Sequence, residues 1–84
     1  MHSILIIDDE YPIREWLLRT IRMHYSGWRV DSAVNGLDAL QKLEEADYQL
    51  VISDIRMQKL DGIGLLEQMK RSHPKVGGLV RRRH

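Results

Sequence analysis

Two stretches decide the fold: SILIIDDE at residues 3–10 and QLVISD at residues 49–54. Each is a short apolar run that ends in acidic residues, and such runs, separated by helical patterns, are typical of buried parallel strands. Neighbouring parallel strands point the same way, so their carboxyl ends meet at one edge of the sheet, where open α/β sheets bind ligands. The sequence therefore predicts that Asp8, Asp9 and Asp54 lie close together at that edge.

Three carboxylates at one edge indicate a cation site. Crowded carboxylates repel one another and lose hydration unless a cation lies between them. Mg2+ prefers oxygen ligands, and Mn2+ suits the same ligand type. An acidic pocket that holds such an ion and leaves one carboxylate available is a site for forming an aspartyl phosphate. Taken singly, the acids have plainer interpretations: Asp8, Asp9 and Glu10 as acids at a helix N-terminus, and Asp54 as a turn residue.

The segment between the two stretches predicts a helix followed by an edge strand. Pro12 suits the first turn of a helix, and apolar residues recur from there at three- and four-residue steps, with Trp16 facing the core. The pair Ser26-Gly27 ends this helix. Residues 28–34 then alternate between apolar and polar side chains, with Trp28 also facing the core, and this alternation suits a strand at the edge of a sheet.

Two further helices and a weak strand complete the pattern. Asn35 is placed to cap a second helix, whose inward face carries Leu37, Leu40 and Leu43. The inward residues of a third helix are Ile63, Leu65, Leu66 and Met69. Residues 75–80 are a candidate fourth strand, which two adjacent glycines weaken.

The resulting order is β-α-β-α-β-α with a weak fourth strand. Right-handed crossovers over a parallel sheet give a three-layer α/β domain. Because the alternating strand belongs at the edge, the predicted sheet order is 2-1-3, and the fourth strand would follow the third.

Composition limits the class of protein. The 84 residues suffice for one small domain, and ordinary apolar content with a net charge of +1 predicts a soluble chain without a membrane segment. The absence of cysteine excludes disulfides and thiol catalysis and agrees with a cytoplasmic location. Residues 1–69 hold seven Lys and Arg against twelve Asp and Glu, whereas residues 70–84 hold six basic residues and no acid. We interpret this basic end as solvated and expect no direct nucleic acid binding by the segment.

Four segments carry a resemblance to a known family. They read ILIIDDE at residues 4–10, NGLDAL at 35–40, LVISDIRM at 50–57 and LDG at 60–62. An acidic pair after one strand, an aspartate at the end of a later strand and an Asp-Gly turn beyond it resemble the receiver domain of two-component response regulators. The resemblance runs from about residue 3 to residue 76.

The resemblance implies a flavodoxin-like receiver fold and a role in phosphorelay signalling, including transcription regulation. It implies that Asp54 accepts a phosphoryl group from a sensor histidine kinase or a phosphotransfer protein. It also implies a Mg2+ (or Mn2+) site formed by Asp8, Asp9, Asp54 and the main-chain carbonyl of Arg56. A receiver is a signalling module, so we expect no turnover enzyme.

The chain also departs from the family pattern. Gln58 stands where the pattern has a proline. The resemblance implies a Ser or Thr at the end of the fourth strand and a Lys at the end of a fifth, and no residue from 75 to 84 has such a context. We therefore expect a C-terminally truncated, incomplete receiver at residues 1–80, a basic tail at residues 81–84, and impaired phosphorylation.

Two other classes are weighed against the receiver. An interaction module that is not phosphorylated would keep the fold, and an exposed sheet edge beside the strand ending at Asp54 would make it a homo-oligomer. A phosphatase-type hydrolase is disfavoured because its pattern is Asp-x-Asp, whereas Asp8 and Asp9 are adjacent. Aspartyl phosphorylation by a small phosphodonor with Mg2+ separates the receiver from the interaction module.

Overall fold

Strands and helices alternate along the chain. The computed structural model describes the backbone of residues 2–54 and 62–81 and the side chains of residues 2–53 and 63–78. The elements are β1 (Ser3–Ile7), α1 (Tyr11–His24), β2 (Arg29–Ala33), α2 (Gly36–Glu45), β3 (Leu50–Asp54), α3 (Gly62–Ser72) and β4 (Gly77–Arg81). This order is the predicted one. None of the described helices has both the length and the apolar character that a bilayer crossing requires.

The four strands form one parallel sheet in the order β2-β1-β3-β4. The predicted order 2-1-3 is confirmed, and the fourth strand follows the third. β4 pairs with β3 from Gly77 opposite Leu50 to Arg81 opposite Asp54. The weak strand therefore forms, and it includes Arg81, the first residue of the expected tail. Because β4 covers β3, the exposed edge that we expected beside the strand ending at Asp54 is not present on β3.

The sheet separates two layers of helices. On one face, the α1 residues Leu17, Leu18 and Ile21 pack against Ile4, Ile6 and Val30. The other face carries α2 and α3, and its buried cluster contains Leu5, Ile7, Ala33, Ala39, Leu43, Tyr48, Val51, Leu65 and Met69. This is the predicted three-layer α/β architecture.

Three residues that we expected in the core are exposed. Trp16 is 63% exposed, Leu37 55% and Ile63 52%. Since α1 meets the sheet through Leu17, Leu18 and Ile21, Trp16 lies to one side of that contact. Leu37 and Ile63 lie in the first turns of α2 and α3, next to the carboxyl edge, where less of the sheet lies beneath a helix. Trp28, in contrast, packs against the cluster beneath α1 as predicted.

Of the two adjacent glycines in β4, Gly78 is the one that the packing of α3 requires. A Cβ atom at Gly78 would overlap the Leu66 side chain and lie 3.0 Å from Cε of Met69, both on α3. A Cβ atom at Gly77 would lie 3.4 Å from the Gln49 carbonyl oxygen, which is an ordinary contact. The close packing of α3 on β4 therefore depends on Gly78 and not on Gly77.

We expect Gly78→Ala to lower the free energy of unfolding by about 1 kcal/mol, at the low end for overpacking, because only the ends of the Leu66 and Met69 side chains have to move. Gly77→Ala is the matched control, and its effect should stay below about 0.5 kcal/mol. Urea unfolding followed by circular dichroism measures both. Equal losses in the two variants would show that α3 does not approach β4 as closely as described.

Candidate functional site at the carboxyl edge of the sheet

The register of β1 and β3 places two aspartates at neighbouring strand ends. Ile7 pairs with Ser53, and each of these residues is followed directly by an aspartate, Asp8 or Asp54. Adjacent strands lie about 4.8 Å apart. The backbone at Asp8 and at Asp54 therefore lies at the same edge of the sheet, on adjacent strands.

Three of the described hydrogen bonds hold Asp8. Its side chain is fully buried, and Oδ1 accepts from the Glu10 N–H at 2.9 Å, which closes a tight turn. Its own N–H donates to the Ala33 carbonyl oxygen at 3.3 Å, and its carbonyl oxygen accepts from Nη1 of Arg14 at 2.8 Å. A buried carboxylate is costly without a hydrogen-bond donor, and the Glu10 N–H provides one. The next residue, Asp9, is exposed.

The acids before α1 do not cap the helix through the Glu10 side chain, although Glu10 occupies the N-cap. Asp8 directs its carboxylate to the turn that precedes α1. Pro12 lies in the first turn, as predicted.

The N-terminus of α2 is capped as predicted. The Asn35 side chain accepts from the Asp38 N–H at 2.8 Å. Asp38 in turn accepts from the Val34 N–H at 3.0 Å and pairs with Lys42 Nζ at 3.1 Å. Burial raises the pKa of Asp38, but the Val34 N–H, Lys42 and Arg14 outweigh burial, so the pKa lies below its ordinary value of 3.8.

Asp38 should therefore stabilise the fold in its ionised form. A carboxyl group with a lowered pKa contributes stability that is present above the unfolded pKa and is lost as the pH falls below it. We expect Asp38→Asn to be less stable than the parent at about pH 6, and this difference to shrink as the pH falls through 3.8. Urea unfolding at several pH values checks this. A difference that does not change with pH would contradict the lowered pKa.

Sequence reasoning missed Arg14, which holds the Asp8 carbonyl. Arg14 lies in the first turns of α1, a few residues beyond the acidic pair. Its position near three acids was visible in the sequence, but many arginines at such positions point into solvent. Only the three-dimensional contact distinguishes this one.

The donor set at this edge fits a hard divalent cation. Asp8 and Asp9 offer carboxylate oxygens, which Mg2+ and Mn2+ prefer, whereas histidine and cysteine would indicate zinc. Among the described side chains, no three acidic, histidine or cysteine groups converge on one point. The Asp54 carboxylate and the Arg56 carbonyl, which complete the predicted set, lie outside the described atoms, as do Gln58 and Asp61. The described part therefore contains the side chains of two of the four residues predicted to hold the metal, Asp8 and Asp9.

Comparison with known proteins points to one family. The family model for the response regulator receiver domain matches residues 4–80. The chain is 42% identical over 71 residues to the transcriptional regulatory protein CpxR homolog of Haemophilus influenzae, covering 84% of this chain and 30% of that protein. It matches the response regulator TrrA of Thermotoga maritima, in complex with Mg2+-BeF, with a TM-score of 0.90 and 31% identity, covering 100% of this chain and 71% of that one.

One of the matching structures is a complex of the same relative with a histidine kinase. The structure of histidine kinase ThkA with TrrA matches with a TM-score of 0.85 and 32% identity, covering 95% of this chain and 67% of that one. The chain spans about a third of the CpxR homolog's length. The family model, by contrast, covers nearly all of the described fold. The chain therefore belongs to the response regulator receiver domain family.

Proposed function

We propose that this receiver accepts a phosphoryl group on Asp54 from the phosphohistidine of a sensor histidine kinase or phosphotransfer protein. Mg2+ (or Mn2+) would be held by Asp8, Asp9, Asp54 and the main-chain carbonyl of Arg56. The register of β1 and β3 carries the proposal, because it sets Asp8 and Asp54 at neighbouring strand ends. Two structures of the relative TrrA support the proposal. One contains Mg2+-BeF, which supports the metal, and the other contains the histidine kinase ThkA, which supports the kind of partner.

The transfer moves a phosphoryl group from nitrogen to oxygen. A carboxylate oxygen of Asp54 attacks the phosphorus in line with the P–N bond of the donor. The P–O bond forms as the P–N bond breaks, and the bonding electron pair returns to the donor's imidazole nitrogen. Phosphoryl transfer of this kind depends on positioning and charge neutralisation more than on proton movement.

The chain's own residues would position the reactants. Asp8, buried and held by the Glu10 N–H, gives the site a fixed carboxylate. Asp9 is exposed and can take part without loss of packing. When bound, Mg2+ supplies positive charge against the phosphoryl oxygens.

Phosphoramidate tests the proposal, because it presents the P–N bond of phosphohistidine in a small donor. With Mg2+, the parent chain should consume phosphoramidate faster than Asp54→Asn, which lacks the nucleophilic carboxylate. Asp47→Asn is the matched control. The Asp47 carbonyl accepts a hydrogen bond from Ser3 at the amino-terminal ends of the strands, opposite the carboxyl edge. Phosphorus NMR follows the donor. Equal rates for the parent and Asp54→Asn would refute the proposal.

The receiver would act in signalling. Receiver domains are signalling domains, and the relatives include transcriptional regulators. We propose that phosphorylation of Asp54 regulates transcription in the cytoplasm, a location that the cysteine-free composition supports. Identical transcript profiles with the native Asp54 and with Asp54→Asn would contradict this role.

A second candidate is self-assembly through the outer edge of β4. Among the described strands, none pairs with β4 on the side away from β3. The Gly77 N–H points toward β3, where it donates to the Gln49 carbonyl oxygen. Successive N–H groups along a strand point to opposite sides, so the N–H of Val80, three residues later, points away from β3. At the other outer strand, β2, the Val30 carbonyl oxygen already accepts a hydrogen bond from Arg22 Nη2 at 2.8 Å. Open edges pair with other chains, which favours β4 for this role.

We expect the 84-residue chain to form dimers at micromolar concentration. Val80→Pro should remain monomeric, because proline has no N–H and is tolerated at a sheet edge. Light scattering over a dilution series measures the mass, and circular dichroism shows whether Val80→Pro is folded. A parent chain that stays a cooperatively folding monomer would contradict self-assembly.

A further inference from the structure

Arg14 fastens the loop that carries the acidic pair. Its Nη1 atom donates to the main-chain oxygen of Asp8 at 2.8 Å, and its own N–H donates to the Glu10 carbonyl oxygen at 3.0 Å. One residue thus holds both ends of the turn between β1 and α1. Of the three hydrogen bonds described for Asp8, the one from Arg14 has a charged donor, and such bonds are roughly twice as strong as neutral ones.

The Arg14 side chain is held in turn by its surroundings. Its guanidinium carbon lies 5.4 Å from the centre of the Tyr11 ring, within range of a cation–π contact. Burial raises the pKa of Asp38 and the Val34 N–H lowers it, and the Arg14 charge adds to the lowering. The Arg14 side chain thus reaches from α1 to the acidic loop, and its charge also acts on Asp38 in α2.

We propose that Arg14 is a positioning residue for the metal site. By holding the Asp8 carbonyl, it fixes the direction in which the loop presents Asp8 and Asp9 to the edge of the sheet. The inference rests on the proposed function and adds a residue outside the predicted ligand set. Contacts that orient metal ligands typically change metal affinity about 10–100-fold when they are removed.

Electrostatics alone makes the opposite prediction. A positive charge near a cation site repels the cation, so an Arg14 that acted only through its charge would weaken Mg2+ binding. Under that account Arg14→Ala would bind Mg2+ more tightly, and Arg14→Lys would match the parent. Positioning predicts weaker binding in both variants, because the lysine side chain keeps the charge but is one bond shorter than the arginine side chain, whose Nη1 atom donates to the Asp8 carbonyl.

Mg2+ titration by calorimetry separates the two accounts. We expect about tenfold weaker binding for Arg14→Ala and for Arg14→Lys. Arg19→Ala, which removes an exposed arginine from the same helix, is the matched control and should bind like the parent. Parent affinity in Arg14→Lys, or tighter binding in Arg14→Ala, would overturn the inference.

Hydrogen exchange provides a readout that needs no metal. The Glu10 N–H donates to Asp8 Oδ1, so its exchange rate reports on the loop in the metal-free protein. We expect faster exchange at Glu10 in both Arg14 variants, with exchange in β3 unchanged. If the parent binds no Mg2+, the proposed metal site fails, and the exchange rates still decide whether Arg14 holds the loop. Unchanged exchange at Glu10 would overturn the inference.

Discussion

A sample of the 84-residue chain treated with acetyl phosphate and Mg2+ is expected to carry phosphate on only a small fraction of its molecules. The family resemblance implies a hydroxyl side chain at the end of the fourth strand and a lysine on a fifth. Here β4 ends in Leu79, Val80 and Arg81, and none of these residues has a hydroxyl group. Losing one charge-stabilising donor typically costs about 100- to 1,000-fold in rate. Asp54 should therefore accept phosphate slowly.

Intact-protein mass spectrometry measures the phosphorylated fraction over time. Asp54→Asn is the control, and it should gain no phosphate. Prompt and nearly complete phosphorylation of the parent would show that the hydroxyl and the lysine matter less than the resemblance implies.

The second large effect concerns the metal. Asp9→Ala should weaken Mg2+ binding by at least about tenfold, since a direct ligand matters no less than the outer contacts that orient it. Asp9 is exposed, so its replacement leaves the packed core intact and separates metal binding from folding. Calorimetric titration of the parent and the variant gives both affinities.

Asp47→Ala is the matched control for charge. It removes one negative charge at the amino-terminal ends of the strands, where the Asp47 carbonyl accepts a hydrogen bond from Ser3. The control should bind Mg2+ like the parent. Equal affinities in the parent and Asp9→Ala would exclude Asp9 as a ligand.

The sheet could be predicted from the sequence because its signals are local and strong. Continuous apolar runs identified β1 and β3, and the alternation of residues 28–34 identified β2 as an edge strand. Asp8, which follows β1, and Asp54, which ends β3, then share an edge because parallel pairing requires it. The cap of α2 at Asn35 could also be predicted, because a capping side chain bonds to a backbone N–H only a few residues away, here that of Asp38.

Features that depend on contacts between elements could not be predicted. Trp16 follows the helical repeat but lies beside the face that α1 buries. Gly78 weakens a strand by propensity, yet the approach of α3 requires it there. The role of Arg14 depends on where the Asp8 carbonyl points, which no periodicity encodes.

Chemical trapping tests the central claim most directly. Borohydride reduces an aspartyl phosphate to homoserine, which marks the phosphorylated position in a peptide map even when the phosphate is short-lived. We treat the chain with acetyl phosphate, with Mg2+ or with a chelator, and then with borohydride. The account predicts homoserine at position 54 alone, and only with Mg2+. Homoserine at another aspartate, formation without Mg2+, or none at position 54 would contradict it.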